Sequence, residues 1–183
     1  KAKPIVKMVV PFCETSGNEL LRIAACLEEH FPHSMAKAVV SAAKKAGLEH
    51  EEMHSKVEYI VAHGISSSIG EKRVLIGSSH FIFEDEKCIV PKEYQKQFES
   101  LPAEYSHLYL AIDGVLAAVI CIEDPLREES GSVVRALKAA GFQKIVMMTG
   151  DSERTAASVA KKAGVDEYYS EVLPEDKARF IEK

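Results

Sequence analysis

The sequence of 183 residues predicts an α+β unit, an antiparallel sheet flanked by helices, followed by part of a parallel α/β unit. Strand-like segments joined by short turns dominate the chain up to residue 123, whereas helical and strand-like segments alternate after it. The change coincides with Glu123-Asp124-Pro125, where the proline ends the preceding strand. We therefore divide the chain into a first unit, residues 1–123, and a second unit, residues 124–183.

The first unit is defined by apolar periodicity and by turn residues. Apolar residues recur at helical spacing on both sides of Phe31-Pro32, and Asp113-Gly114 is a strong hairpin signal. In order, the predicted elements are a strand over 5–12, helices over 18–30 and 34–45, a strand over 53–62, a hairpin of 65–69 and 73–76 around Gly70-Glu71, a short helix over 93–101, and a hairpin of 108–112 and 115–122.

The second unit alternates between helices and strands, which is typical of a parallel sheet. Ile145 to Met148 form a continuous apolar run, as a strand buried on both faces requires. Ser152 is the predicted N-cap of the next helix, and Gly164 its C-terminal stop. The predicted elements are a helix over 127–140, a strand over 143–148, a helix over 152–163, a strand over 167–170 and a helix from 175.

Composition excludes several classes of function. The net charge is -5, which argues against a nucleic-acid surface as the main partner. No apolar run approaches the roughly 18 residues of a membrane-spanning helix. The four cysteines have no short spacing of the kind that zinc sites use, and this pattern favours a reducing compartment. We assign no metal ligand within this sequence.

Two segments of the second unit predict an anion site. Thr149, Gly150 and Asp151 follow a buried strand and precede a helix, which presents backbone amides and a hydroxyl at the carboxyl end of a parallel sheet. That arrangement suits a phosphate. Lys177 lies in the first turn of a helix that Pro174 can open, where the helix dipole disfavours a cation, so an external anion is the better reason for it.

A second candidate site lies in the first unit. Gly64 and Gly77 each stand at the edge of a strand, where the missing side chain lets another backbone or a flat ligand approach. His33 precedes a helix, and a neutral imidazole there can stack on a purine. Simple bends are the alternative for the glycines, and capping of the helix is the alternative for His33.

Thr149-Gly150-Asp151 followed by Leu173-Pro174-Glu175-Asp176-Lys177 resembles the phosphorylation domain of P-type cation-transporting ATPases, of the haloacid-dehalogenase-like superfamily. The resemblance implies that Thr149 and Lys177 contact a phosphoryl group carried on an aspartate. It implies that the Gly150 amide offsets charge on the same group. Asp151 would orient the loop or contact nucleotide or metal-bound water.

The first unit resembles the nucleotide-binding domain of the heavy-metal branch of that family. His33 aligns with the histidine of the family's Ser-Glu-His-Pro-Leu motif, and Glu28 matches a glutamate that reaches the adenine amino group. Gly64, Ile65 and Gly77 match the remainder of the adenine pocket. The positions that depart from the family pattern are Pro32, Ser34, Ala62 and Ser78.

The resemblance implies ATP and Mg²⁺ as substrate and cofactor, with ATP or ADP as ligands. The family's Asp-Lys-Thr-Gly-Thr motif is absent, and its magnesium motif, Gly-Asp-Gly-x-Asn-Asp, belongs beyond the lysine helix. We therefore expect an internal piece of a transporter, inactive in hydrolysis by itself, whose partners are the membrane and actuator parts of the same polypeptide. It would be a cytoplasmic domain at a bacterial plasma membrane, and the transported cation stays open among copper, zinc, cadmium and others.

Two other functions compete with this interpretation. A free-standing phosphatase of the same superfamily needs an Asp-x-Asp nucleophile after a strand, and neither Asp85-Glu86 nor Asp113-Gly114 provides one. A regulatory or scaffold protein that retains only nucleotide binding is the non-enzymatic alternative.

Overall fold

The computed structural model describes residues 3–30, 34–48, 58–60, 64–150 and 153–181. Its larger sheet has six strands in the order β1-β6-β5-β4-β3-β2, and every neighbouring pair is antiparallel. The strands are β1 Ile5–Pro11, β2 Glu58–Ile60, β3 Gly64–Ile69, β4 Lys72–Gly77, β5 Ser106–Ile112 and β6 Val115–Glu123. All six come from the first unit, which confirms the predicted antiparallel α+β class.

The two faces of this sheet carry separate apolar clusters because side chains alternate along each strand. Leu108 and Leu110 of β5 pack on helices α1, Gly17–Glu28, and α2, Ser34–Lys45. Tyr109 and Ala111 belong to the cluster on the opposite face. The sheet therefore lies between two apolar layers.

The segment that covers the second face differs from the sequence expectation. The predicted helix over 93–101 is a turn at Lys92–Tyr94 followed by α3, Gln95–Glu99. A further helical segment, His80–Asp85, was not predicted, because its sequence His-Phe-Ile-Phe-Glu-Asp has no helical periodicity. Its Phe81 and Ile82 are buried against the sheet, so tertiary packing selects the helical conformation.

The hairpin between β5 and β6 has the predicted turn. Asp113 and Gly114 both have positive φ angles, 51° and 76°, as the type I′ turn requires. The Asp113 carboxylate also accepts a hydrogen bond of 2.9 Å from the backbone N–H of Arg73 at the neighbouring β3–β4 hairpin. One side chain therefore stabilises the turn and links two hairpins.

We expect Asp113→Ala to lower the free energy of unfolding by about 1 to 2 kcal/mol, because alanine is disfavoured at positive φ and cannot accept the Arg73 hydrogen bond. Asp113→Asn is the matched control, since asparagine tolerates the left-handed conformation and retains a carbonyl acceptor. Urea unfolding followed by circular dichroism measures both. Equal stability of the alanine variant and the wild type would contradict this account of the turn.

The second unit forms a separate, parallel pair of strands. Its elements are α4 Pro125–Ala139, β7 Val146–Met148, α5 Glu153–Ala163, β8 Glu167–Tyr169 and α6 Pro174–Ile181. β7 and β8 pair in parallel, which confirms the predicted parallel α/β class for this part of the chain. The expected burial of β7 on both faces is wrong, since Val146 is 39% exposed. The proposed N-cap Ser152 and most of the predicted strand over 53–62 lie outside the described residues; of that strand, 58–60 is described and is β2.

Asp166 fixes the start of the parallel pair. Its carboxylate accepts hydrogen bonds from the backbone N–H of Ile145 at 2.8 Å and from Lys138 Nζ at 3.2 Å. The Ile145 hydrogen bond, followed by that from Lys138, holds the pKa of Asp166 below its usual range. The carboxylate joins the end of α4 to the strands whose carboxyl ends form the candidate phosphate site.

Among the described residues, no helix combines the length and apolar character needed to cross a bilayer.

Candidate functional site

The structure places Thr149 and the segment leading to Lys177 at one edge of the parallel pair. The Thr149 N–H donates to the Tyr169 carbonyl at 3.0 Å, and the Val172 N–H donates to the Thr149 carbonyl at 2.9 Å. Both bonds continue the β7–β8 pairing beyond the strands. The loop after β7 and the loop that enters α6 are therefore held side by side, as the sequence predicts for the carboxyl ends of parallel strands.

Lys177 lies in the first turn of α6, which begins at Pro174 as predicted. Its backbone N–H donates to the Leu173 carbonyl at 3.2 Å, and its side chain is exposed. Gly150 is also exposed, and a Cβ there would come no closer than 3.6 Å to its nearest neighbour, the Val172 carbonyl oxygen. Packing therefore does not demand a glycine at this position. Asp151 lies outside the described residues.

An acidic network surrounds the same edge of the parallel pair. A cavity of about 590 Å³ is lined by Glu153, Glu171 and Asp176, among others. The Glu153 carboxylate accepts hydrogen bonds from the hydroxyls of Ser170 and, at 2.6 Å, Tyr168, and these lower the pKa of Glu153, the Ser170 bond most. The bond to Glu153 is also the main cause that raises the pKa of Tyr168. The network fixes the loop after β8 against the start of α5.

In the first unit, the structure brings Gly64 and Gly77 together. They are directly opposite each other in the β3–β4 register, at the first residue of β3 and the last of β4. Ile65 follows Gly64 and is 2% exposed in the cluster beneath α1 and α2. The sequence places these three residues on separate segments, and the hairpin assembles them at one end of the sheet.

The space beside Gly64 is filled by the protein itself. A Cβ at Gly64 would lie 2.4 Å from Cδ1 of Phe81 and 2.5 Å from the carbonyl oxygen of Ile76. The close approach that the sequence predicts at this glycine is therefore made by an aromatic ring and a backbone carbonyl. Phe81 is the residue that sequence reasoning missed here, because its helical segment was not predicted.

Glu28 is the last residue of α1 and is 2% exposed. A buried carboxylate needs hydrogen-bond partners or a nearby cation. Glu28 lines a cavity of about 410 Å³ between the end of α1 and one side of α2, together with Lys37 and Lys44. His33 lies outside the described residues, immediately before the first residue of α2.

The two units contact each other beside both candidate sites. Ser79, two residues after Gly77, donates a hydrogen bond of 3.4 Å to the Glu171 carboxylate in the loop that enters α6. The Arg154 guanidinium of α5 donates to the Glu99 carbonyl at the end of α3. No sequence signal identified these pairs, because the members of each pair are 92 and 55 residues apart.

The sequence profile of the haloacid dehalogenase-like hydrolases matches residues 4–183. A copper-transporting ATPase 2 of Rhizobium meliloti (strain 1021) is 35% identical over 184 residues, which cover 100% of this chain and 22% of that protein. A manganese-exporting P-type ATPase of Mycobacterium leprae (strain TN) is 31% identical over 181 residues, 98% of this chain and 25% of that protein. The chain thus spans between a fifth and a quarter of the length of these relatives.

A solved structure with the same arrangement is the catalytic domain of the CPx-ATPase CopB-B. It is 25% identical to this chain, with a TM-score of 0.66 over 98% of this chain and 60% of that one. The antiparallel sheet followed by a parallel pair of strands agrees with the family indicated by sequence, profile and structure. The chain belongs to the haloacid dehalogenase-like hydrolase family, and its relatives there are heavy-metal P-type ATPases.

Proposed function

We propose that this chain is the nucleotide-binding domain, residues 1–123, and part of the phosphorylation domain, residues 124–183, of a P-type ATPase that transports a heavy-metal cation. The observation that carries the proposal is the pair of backbone hydrogen bonds that joins Thr149 to the loop entering α6. These two hydrogen bonds hold the Thr149 hydroxyl, the exposed backbone of Gly150 and the helix turn that bears Lys177 at one edge of the parallel pair of strands. That set of groups suits a phosphoryl oxygen.

In this function the first unit holds the purine of ATP. Glu28 and His33 bind the base, with Gly64, Ile65 and Gly77 forming the adjacent strand ends. The second unit receives the terminal phosphoryl group, whose charge is offset by the Thr149 hydroxyl, the Gly150 amide and the Lys177 ammonium, with Asp151 orienting the loop. The contact between Ser79 and Glu171 supports this arrangement, since it links the segment after Gly77 to the loop entering α6.

The nucleophile of the proposed reaction is an aspartate of the motif Asp-Lys-Thr-Gly-Thr, which this sequence does not contain. The terminal phosphoryl group forms an acyl phosphate on that carboxylate while ADP leaves. We therefore propose that the chain binds ATP or ADP and does not hydrolyse it. The described residues contain no group of three or more histidine, cysteine, aspartate or glutamate side chains that could hold a metal ion.

The place of the chain is proposed to be the cytoplasmic side of a bacterial membrane, with membrane and actuator parts of the same polypeptide as its partners. The relatives named above transport copper and manganese. The side chains that select the cation belong to the membrane helices of such a protein. Copper, manganese and other heavy-metal ions therefore all fit the proposal.

Calorimetric titration with ATP, ADP and adenosine tests this function. We expect binding that His33→Ala weakens by about 1 to 3 kcal/mol, the usual consequence of unpaired buried polar groups. His30→Ala is the matched control, since this histidine is exposed and three residues away. Lys177→Ala is expected to weaken the binding of ATP and to leave the binding of adenosine unchanged. Lys161 is an exposed lysine of α5, and Lys161→Ala is expected to change the affinity for neither ligand. A flat titration, or equal weakening by both histidine variants, would contradict the nucleotide site.

A further inference from the structure

A cavity lined by three aromatic rings lies between the two units. Its volume is about 490 Å³, which is the size of cavities that hold small organic ligands. Phe83, Phe98 and Tyr109 line it. The centroid of Phe83 is 5.6 Å from that of Phe98 and 5.5 Å from that of Tyr109, and both pairs pack edge to face. Of the residues proposed to bind ATP, none that the structure describes lines this cavity.

The charge around these rings is strongly negative. Glu84 and Glu99 of the first unit and Glu153 and Glu171 of the second line the same cavity. Over the part of the chain that the structure describes, none of the four carboxylates lies within ion-pair distance of a lysine or arginine. Arg154, which also lines the cavity, donates instead to the Glu99 backbone carbonyl. The four carboxylates outnumber the one guanidinium, so the potential inside the cavity is net negative.

We infer that this cavity is a second binding site, separate from the proposed nucleotide site, for an organic cation with an apolar or aromatic body. Aromatic faces attract ammonium and guanidinium groups, and the surrounding carboxylates add a long-range attraction. The carboxylates are not gathered into a metal-ligating group among the described residues, and the walls are rings, so an inorganic cation is the poorer match. The same negative charge disfavours the binding of a nucleoside triphosphate in this cavity.

The lining residues come from both units, so a bound cation contacts both. On the first unit it meets the aromatic rings on the second face of the large sheet. On the second unit it meets the start of α5 and the Glu171 loop. Ligand binding to this arrangement therefore stabilises it by mass action.

The probe is benzyltrimethylammonium, added to the ¹⁵N-labelled chain in an amide NMR titration, with benzyl alcohol as the neutral comparator and benzenesulfonate as the anionic one. We expect the cation to bind at least about fivefold more tightly than either comparator. The amide shifts are expected to centre on Phe98, Tyr109 and Glu171. Raising the salt concentration from about 20 mM to about 300 mM should weaken the binding of the cation alone among the three probes, because salt screens exposed charges.

The double variant Glu84→Gln with Glu99→Gln is expected to lower the affinity for benzyltrimethylammonium about threefold to tenfold. The matched control, Glu93→Gln with Glu175→Gln, removes the same charge at exposed positions that do not line the cavity and is expected to leave affinity unchanged. Equal weakening by both double variants, equal binding of the three probes, shifts centred away from the cavity, or competitive displacement by ATP would each overturn the inference. A failure to bind ATP in the calorimetric test would contradict the proposed nucleotide site but not this second binding site.

Discussion

Gly64→Ala is expected to lower the free energy of unfolding by about 2 to 3 kcal/mol, because a methyl group at this position overlaps two groups that cannot easily move. The added Cβ would lie 2.4 Å from the Phe81 ring and 2.5 Å from the Ile76 carbonyl oxygen. The ring is buried in the second apolar cluster, and the carbonyl belongs to the paired strand β4. Urea unfolding followed by circular dichroism measures the change.

Gly131→Ala is the control for this substitution. Gly131 lies inside α4, where the nearest atoms to an added Cβ are 3.5 Å away, and alanine is the better helix former. We expect it to be neutral or to stabilise by up to about 1 kcal/mol. Adding Phe81→Leu to Gly64→Ala is expected to restore only part of the loss, since the Ile76 carbonyl remains in place. Wild-type stability of Gly64→Ala would show that the ring and the strand are not held as described.

Cys121 is expected to make the protein less stable as the pH rises from about 9 to about 11. Burial, followed by the charge of Glu104, raises the pKa of this thiol to about 11 from the ordinary value of 9.0. Below the unfolded pKa both states are protonated and the stability is unaffected. Above the unfolded pKa, the Cys121 thiol ionises in the unfolded chain but stays protonated in the folded protein. The free energy of unfolding is therefore lowered by about 2 to 3 kcal/mol when the pH reaches the folded pKa.

Comparison with Cys121→Ala isolates this contribution. Removing the buried sulfur costs stability through the cavity it leaves, and that cost is the same at every pH. The difference in unfolding free energy between wild type and variant, from urea unfolding at pH 7.5 and pH 11, should therefore shrink by about 2 to 3 kcal/mol. A difference that does not change with pH would contradict the burial of this thiol.

Local sequence predicted much of the fold because local chemistry determines it. Asp113-Gly114 specifies a turn with two positive φ angles, and alternating apolar residues in β5 specify which side chains face each layer. Pro174 at the start of α6 likewise follows from its fixed φ and missing N–H. The helical segment at residues 80–85 was missed because burial, rather than periodicity, selects its conformation.

The candidate phosphate site was predictable in its location but not in its surroundings. A parallel pair of strands brings its carboxyl ends together whatever side chains it bears, so Thr149 and the segment before Lys177 had to share an edge. The acidic network of Glu153 and Glu171 at that edge depends on hydroxyls and side chains from other loops. No spacing along the chain encodes those contacts.

The sequence by itself determined the two fold classes, the hairpin turns, the family and the edge at which the loops after β7 and β8 meet. Each of these depends on residues close together in the chain or on backbone geometry common to all parallel sheets. Only the tertiary structure decided that Phe81 fills the space beside Gly64, that Ser79 meets Glu171, and that four carboxylates surround three aromatic rings. Those contacts join residues far apart in the chain, and their identity is set by packing density and burial, which no local pattern specifies.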